Sequence, residues 1–365
     1  MKVLQINSVC GIRSTGRIAT DIAENFVSEG NICKIAYGRA TAPDNYKNLS
    51  YRIGNDIHVI MNVLQARLLD NEGFNAKRST AAFLKWAEEY DPDLLWLHNL
   101  HGYYINVEML FNWIKQRPQM EVKWTLHDCW AFTGHCAHFS YARCDQWEKQ
   151  CTKCPQKKCY PAGFLMDNCK DSFKRKKEAF CGVRNMTIIT PSEWLAKLVS
   201  RSFLSEYPIA VVHNTIDTNV FKPTESGFRE EYGLENKVVV LGVASAWGQR
   251  KGLNDFLKLS EILDDRFAVV IVGVTERQKK RLPKRVIAIE KTNSARELAQ
   301  IYTAADVFLN LTYEDTYPTV NLEAQACGTP VITYRTGGSV ESVPGENIAE
   351  QGDICGVAKL IERLV

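Results

Sequence analysis

Asp315 and Glu323 stand with seven residues between them, and Glu314 lies beside the first, in the segment Tyr313-Glu314-Asp315-Thr316-Tyr317-Pro318-Thr319-Val320-Asn321-Leu322-Glu323-Ala324. A helix that starts between the two sites carries Glu323 on its own turns and leaves Asp315 in the loop ahead of it. Helix N-termini present unpaired N–H groups to anions, and a carboxylate on a helix can grip sugar hydroxyls, so the composite fits a phosphorylated, hydroxyl-rich ligand. The turn Thr336-Gly337-Gly338-Ser339 adds potential backbone donors. Acidic pairs at this spacing arise by chance; the whole composite is more specific.

Three further segments follow apolar runs that read as strands. Val9-Cys10-Gly11-Ile12-Arg13-Ser14-Thr15-Gly16-Arg17 is a small-residue loop in which Gly16 would let a phosphate approach the backbone; a plain strand-to-helix turn explains it as well. His127-Asp128 lies just past a strand, where an imidazole can orient a hydroxyl or phosphate near neutral pH, or where the two form a satisfied structural pair. Arg250-Lys251-Gly252 closes a loop before a helix, and fixed cations there suit a diphosphate, whereas a basic pair on a surface loop is more often just solvated.

Eight of the twelve cysteines fall between positions 129 and 181. Cys136, Cys144, Cys151 and Cys154 can supply four thiolates to a structural zinc in a polar, aromatic insert, at about 129–169, that otherwise lacks an apolar core. Free thiols are the alternative, and Cys159, His135 and His138 compete as ligands. Lys170, Lys174, Arg175, Lys176 and Lys177 then form a basic run on a helix, either a solvated face or a contact for anionic lipid headgroups.

The elements that must position these residues alternate β-rich apolar runs with amphipathic stretches, which predicts an α/β class with mostly parallel sheets. Strands are expected at 3–6, 33–37, 94–97, 122–126, 187–189 and 210–212, then at 238–243, 268–272, 286–289, 307–309 and 330–333. Helices are expected at 16–28, 57–69, 81–89, 193–203, 253–263, 295–304 and 320–327. Turn-forming residues between 212 and 238 break the periodicity, so the chain divides into lobes at 1–213 and 214–365, and 365 residues suit two cores. A net charge of +3 argues against nucleic acid as a partner, and neither a secretory signal nor a spanning run is evident, so the expected location is cytoplasmic.

Glu323-Ala324 with Cys327-Gly328-Thr329-Pro330-Val331, Asn214-Thr215-Ile216-Asp217 and Phe221 at the junction, and Lys251-Gly252 together resemble the retaining glycosyltransferases of family 4. His127-Asp128 followed by Thr133-Gly134-His135-Cys136 is similar to bacterial members that build capsule, exopolysaccharide or O-antigen. The resemblance implies a GT-B fold, two Rossmann-like lobes facing a cleft, with an acceptor-side first lobe and a nucleotide-sugar-binding second lobe. It implies a nucleotide-diphosphate sugar donor, a glycan or lipid-linked acceptor, and no cofactor required for catalysis; peripheral contact with the inner face of the cell membrane follows only from the lipid reading of the basic run. Glu323 would hold the ribose, Asp315 or Glu314 would lie against the donor sugar, and Lys251 with Arg250 would bind the diphosphate at a helix start that includes Thr319 and Val320. Gly16 and His127 would complete the site. Where the family has an arginine five positions before the lysine this chain has Ala246, which leaves Arg250 as a substitute. Relatives also continue through further helices beyond the position of Val365.

Two other classes fit the scaffold. A nucleotide-sugar 2-epimerase uses the same fold, since fold alone does not fix chemistry. A zinc-stabilised binding protein with idle lobes is the third reading, and the charge balance weighs against its nucleic-acid version.

Overall fold

The apolar runs pair into two wholly parallel sheets, one in each of two units of the chain, Met1–His213 and Asn214–Val365. The computed structural model describes residues 1–365. In the first unit the strands are β1 (Lys2–Asn7), β2 (Ile32–Tyr37), β3 (Ser50–Arg52), β4 (Leu94–Leu97), β5 (Glu121–Thr125), β6 (Met186–Thr190) and β7 (Ile209–Val211). They lie in the order β3-β2-β1-β4-β5-β6-β7. Helices α1 (Arg13–Ser28), α2 (Asp56–Leu69), α3 (Lys77–Tyr90), α4 (Val107–Lys115), α5 (Cys169–Phe180) and α6 (Glu193–Val199) connect them. The central strands are buried on both faces, which is why Leu94-Leu95-Trp96-Leu97 reads as a continuous rather than an alternating apolar run, and why Val3-Leu4-Gln5-Ile6 is broken only by Gln5, whose buried amide is hydrogen-bonded.

The second unit starts with α7 (Phe228–Tyr232) and then winds β8 (Val238–Val243), α8 (Leu253–Ile262), β9 (Phe267–Val272), α9 (Glu276–Lys279), β10 (Val286–Ile289) and α10 (Ala295–Ala304). It continues with β11 (Val307–Asn310), α11 (Thr319–Ala326), β12 (Val331–Tyr334), β13 (Ile348–Ala349) and α12 (Ile354–Leu364). The sheet order is β10-β9-β8-β11-β12-β13. Each unit has its own apolar cores, around Leu95, Phe111 and Trp124 in the first and around Phe256, Ile271 and Phe308 in the second.

Both sheets reverse direction once, between β1 and β4 and between β8 and β11. At such a reversal the loops leaving the two neighbouring strands diverge and open a crevice at the carboxyl edge, the usual place for a ligand in an open α/β sheet.

Several expected boundaries move. α1 begins at Arg13, so Gly16 lies in its first turn and not in the loop before it. Gly16 is buried, and a Cβ there would come within 3.1 Å of Val9 Cγ2 and 3.3 Å of the Gly11 nitrogen, so close packing of helix on strand accounts for the glycine. α3 starts earlier than expected, at Lys77, and α6 ends at Val199 rather than 203. The basic run on α5 is not one solvated face. Lys176 is buried, its Nζ donating to the carbonyls of Trp130 (2.8 Å) and Thr133 (3.1 Å), and Arg175 is paired bidentately with Glu108.

Candidate active site

In the first unit the loops after β4 and β5 bring four side chains together in two separate networks. His127 and Asp128 each contact a histidine of the loop after β4. Asp128 Oδ2 contacts His101 Nε2 at 2.7 Å, and the other His101 nitrogen meets the Tyr160 hydroxyl at 2.9 Å. Burial pushes the Asp128 carboxyl up, but the charge and hydrogen bond of His101 outweigh it and hold the group well below the usual carboxylate range. His127 Nε2 contacts His98 Nδ1 at 3.1 Å, and His98 Nε2 contacts Gln5 Oε1 at 2.9 Å. The Gln5 amide nitrogen donates to the Ala19 carbonyl, so Oε1 must accept from His98, whose Nδ1 then accepts from His127. Burial, resisted by the charge of Asp128 and helped by that of His101, lowers the His127 pKa to about 4. His127 is therefore a neutral, oriented hydrogen-bonding group at physiological pH and too weak a base to serve as a proton acceptor there.

The second unit carries the tighter constellation. The loop after β8 ends in a 3₁₀ turn at Gln249–Lys251 and then Gly252, with φ +73°; a Cβ at that position would stand 2.1 Å from the Leu311 carbonyl oxygen. This contact presses the Arg250-Lys251 turn onto the loop leaving β11. Lys251 Nζ donates to Asp315 Oδ2 at 2.6 Å, Arg250 Nη1 to the Glu314 carbonyl at 3.2 Å, and the Tyr313 N–H to the Arg250 carbonyl at 2.8 Å. Lys251 and Asp315 keep side-chain exposures of 22% and 17%, whereas Glu314 is buried at 3%. The chain then enters α11, and no side chain caps this helix or places a carboxylate in its first turn, where Thr319 and Val320 stand. A helix N-terminus with neither feature keeps its affinity for an anion.

Glu323 is on α11 as its spacing implies, but it is buried, and one of its oxygens accepts from the Tyr302 hydroxyl at 3.1 Å. Asn321, on the same helix, accepts from Asn310 Nδ2 (2.8 Å) and donates to Ser339 (3.3 Å) and Ser342 (2.9 Å), which ties α11 to the turn after β12. That turn is fixed in place by Gly337, whose Cβ would meet the Asp315 carbonyl at 2.0 Å, and by the Gly338 N–H donating to the same carbonyl.

The family model described as "Glycosyl transferases group 1" matches residues 235–365, the stretch that holds this constellation. Residues 235–365 are a group 1 glycosyltransferase domain. Over 96% of this chain and 88% of the relative, the sequence is 21% identical to the putative colanic acid biosynthesis glycosyl transferase WcaC of Escherichia coli (strain K12). Among solved structures the chain resembles Anabaena Alr3699/HepE in complex with UDP-glucose, with a TM-score of 0.65 and 15% identity over all of this chain and 89% of that one. It also resembles the lipopolysaccharide outer core galactosyltransferase WaaB, with a TM-score of 0.59 and 14% identity over all of this chain and 90% of that one. The fold is accordingly GT-B, two parallel-sheet Rossmann-like domains.

The group 1 domain contains five groups that the sequence marks and the fold gathers at one sheet edge: Arg250, Lys251, Glu314, Asp315 and the start of α11. Gly16 and His127 belong to the first unit and stand after its own strands. Sequence reasoning missed His98, His101 and Tyr302, each of which orients a candidate. None lies near its partner in the chain, so only their position after a strand, or the aromatic pattern of α10, could have hinted at them.

The cysteine insert also departs from expectation. Phe132, Phe139 and Trp147 are buried together, with ring centroids 4.9 Å apart for Phe139 and Trp147 and 5.2 Å for Phe132 and Trp147, so the insert does have an apolar core. Cys136, Cys144, Cys151 and Cys154 line one cavity beside it, and His135 is committed to Asp70. No group of three or more His, Cys, Asp or Glu side chains is arranged here to hold a metal ion.

Proposed function

We propose that the chain transfers a glycosyl unit from a nucleoside diphosphate sugar to a glycan or lipid-linked acceptor, with retention of anomeric configuration, in the assembly of a bacterial surface polysaccharide at the cytoplasmic side of the membrane. The observation that carries this reading is the pairing of two loops at the sheet reversal: Lys251 and Arg250 after β8 stand against Asp315 and Glu314 after β11, beside the uncapped start of α11. The names of WcaC and WaaB and the UDP-glucose held by HepE support the substrate class.

In this reading Lys251, Arg250 and the N–H groups of Thr319 and Val320 bind the diphosphate and stabilise the charge that grows on it as the glycosidic bond breaks. Asp315, the more exposed of the two acids, holds the Lys251 ammonium in register and faces the donor sugar. Glu323, whose carboxylate the Tyr302 hydroxyl orients, takes the ribose hydroxyls. His127 acts as a neutral hydrogen-bond partner for a sugar hydroxyl. Catalysis is then positioning and charge stabilisation, with the departing phosphate taking the acceptor proton and no metal assigned to the step.

The test incubates the protein with a panel of labelled nucleotide-sugars and candidate acceptors. Transfer of label with the anomeric configuration preserved supports the reading. Epimerised donor without transfer, or inverted product, overturns it.

A further inference from the structure

Helix α2 docks by its smaller side. Of its residues only Ala66 is buried, while Ile57, Ile60, Met61, Leu64 and Leu68 are 67, 59, 61, 56 and 47% exposed. Their spacing places them along one helical face, turned away from the core. The chain returns to the end of this stripe at 164–166, where the Phe164 N–H donates to the Arg67 carbonyl (2.7 Å) and the Met166 N–H to the Leu68 carbonyl (3.2 Å). Phe164, Leu165 and Met166 are themselves 57, 73 and 47% exposed, so the patch continues across two segments. No other helix carries a comparable run of exposed apolar side chains.

The rim of this patch is cationic. Arg67 lies over the Phe164 ring at 5.8 Å, and Lys157 donates to the Leu165 carbonyl, with Lys158 next to it. At the opposite side Lys77 and Arg78 open α3 and share with Met61 and Gln65 the walls of a cavity of about 360 Å³. The single carboxylate of α2, Asp56, is paired with Arg52; Asp70 is buried against His135; and the first turn of α3 has no acid. An outward apolar stripe bordered by cations, with Asp56 paired, Asp70 buried and the part-buried Asp167 turned to the Cys154 and Cys169 N–H groups, matches the interface of an anionic bilayer in both polarity and charge. No helix of this chain is long and apolar enough to cross a membrane.

We propose that α2 and residues 164–166 seat in the interface of an anionic phospholipid bilayer, with Ile60, Leu64 and Leu165 at the boundary between headgroups and acyl chains and Arg67, Lys77, Arg78, Lys157 and Lys158 at the headgroups. The proposal goes beyond glycosyl transfer, and none of its residues belongs to the donor site. It differs from the lipid contact that the basic run on α5 suggested, where Lys176 is buried and Arg175 is paired with Glu108 while Lys170, Lys174 and Lys177 remain exposed.

Co-sedimentation of the full chain with phosphatidylcholine vesicles, with and without added phosphatidylglycerol, tests it. Binding to the anionic vesicles is expected to exceed binding to the neutral ones about tenfold at low salt and to fall at about 0.5 M salt. Leu64→Glu with Leu165→Glu should weaken the binding at least about tenfold, and Lys157→Glu with Lys158→Glu should remove most of the preference for phosphatidylglycerol. No sedimentation with anionic vesicles at low salt, or equal partition of the Leu64→Glu, Leu165→Glu variant, overturns the proposal. A dimer in light scattering that Leu64→Glu dissociates, without vesicle binding, assigns the face to a second copy and overturns it too. Unchanged melting temperature in the variants excludes unfolding as the cause. A missing UDP-induced rise in melting temperature in the parent protein bears on the donor reading alone.

Discussion

Lys251 already has a carboxylate at 2.6 Å, so a diphosphate arriving at this edge competes with Asp315 for one ammonium. Replacing Lys251 with alanine removes a charge-assisted contact of about 1.5–3 kcal/mol, and UDP affinity measured by calorimetry should fall about 10- to 100-fold. An unchanged affinity would remove Lys251 from the donor site. Two acids adjacent in sequence behave differently here, because the backbone turns Glu314 inward and leaves Asp315 partly accessible. The same limit explains why His127 and Asp128 were legible as candidates but not as members of separate networks: their partners, His98 and His101, come from the β4 loop. His127 also gives a pH prediction. Its folded pKa, about 4, lies below the ordinary imidazole value of 6.5, so the unfolded state binds the proton first, and its contribution to stability is whole above about pH 6.5 and lost as pH falls towards 4. Melting temperatures of His127→Asn and the parent, compared from pH 7 to pH 4.5, should show a shallower acid loss in the variant; parallel curves would refute the assignment.

The long, doubly buried strands were legible because both faces demand apolar residues, and β1, β4, β8 and β9 stand where their sequences indicate. β3 and β13 were not, being short edge strands with two or three residues to show. α4 escaped for a different reason: its nine residues give the polar stripe of Glu108, Asn112 and Lys115, opposite the buried Val107, Leu110, Phe111, Trp113 and Ile114, only two turns in which to repeat. α2 shows the reverse case, since its periodicity revealed a helix but carried no information about which way the apolar face turns. Gly252 is the element-scale position on which the donor site depends most. Alanine there must adopt φ near +73° and displace the Leu311 carbonyl, so Gly252→Ala should cost at least about 2 kcal/mol in urea unfolding. A change below about 0.5 kcal/mol would mean that the turn relaxes freely.

Each unit encloses its own apolar clusters, and Arg250, Lys251, Asp315, Glu323 and the start of α11 all fall in the second. Scanning calorimetry should therefore resolve two transitions, with UDP raising the one that belongs to 214–365, because a ligand stabilises only the structure that binds it. One transition that rises as a whole would show that the units unfold together. The order of strands has a consequence for synthesis. β5 needs β6 on its far side, yet about 60 residues, most of them the cysteine insert and α5, leave the ribosome between the two. At roughly 5–20 residues per second the half-made sheet waits several seconds with one unpaired margin, an interval in which chaperones, or another nascent copy, have the first opportunity to occupy it.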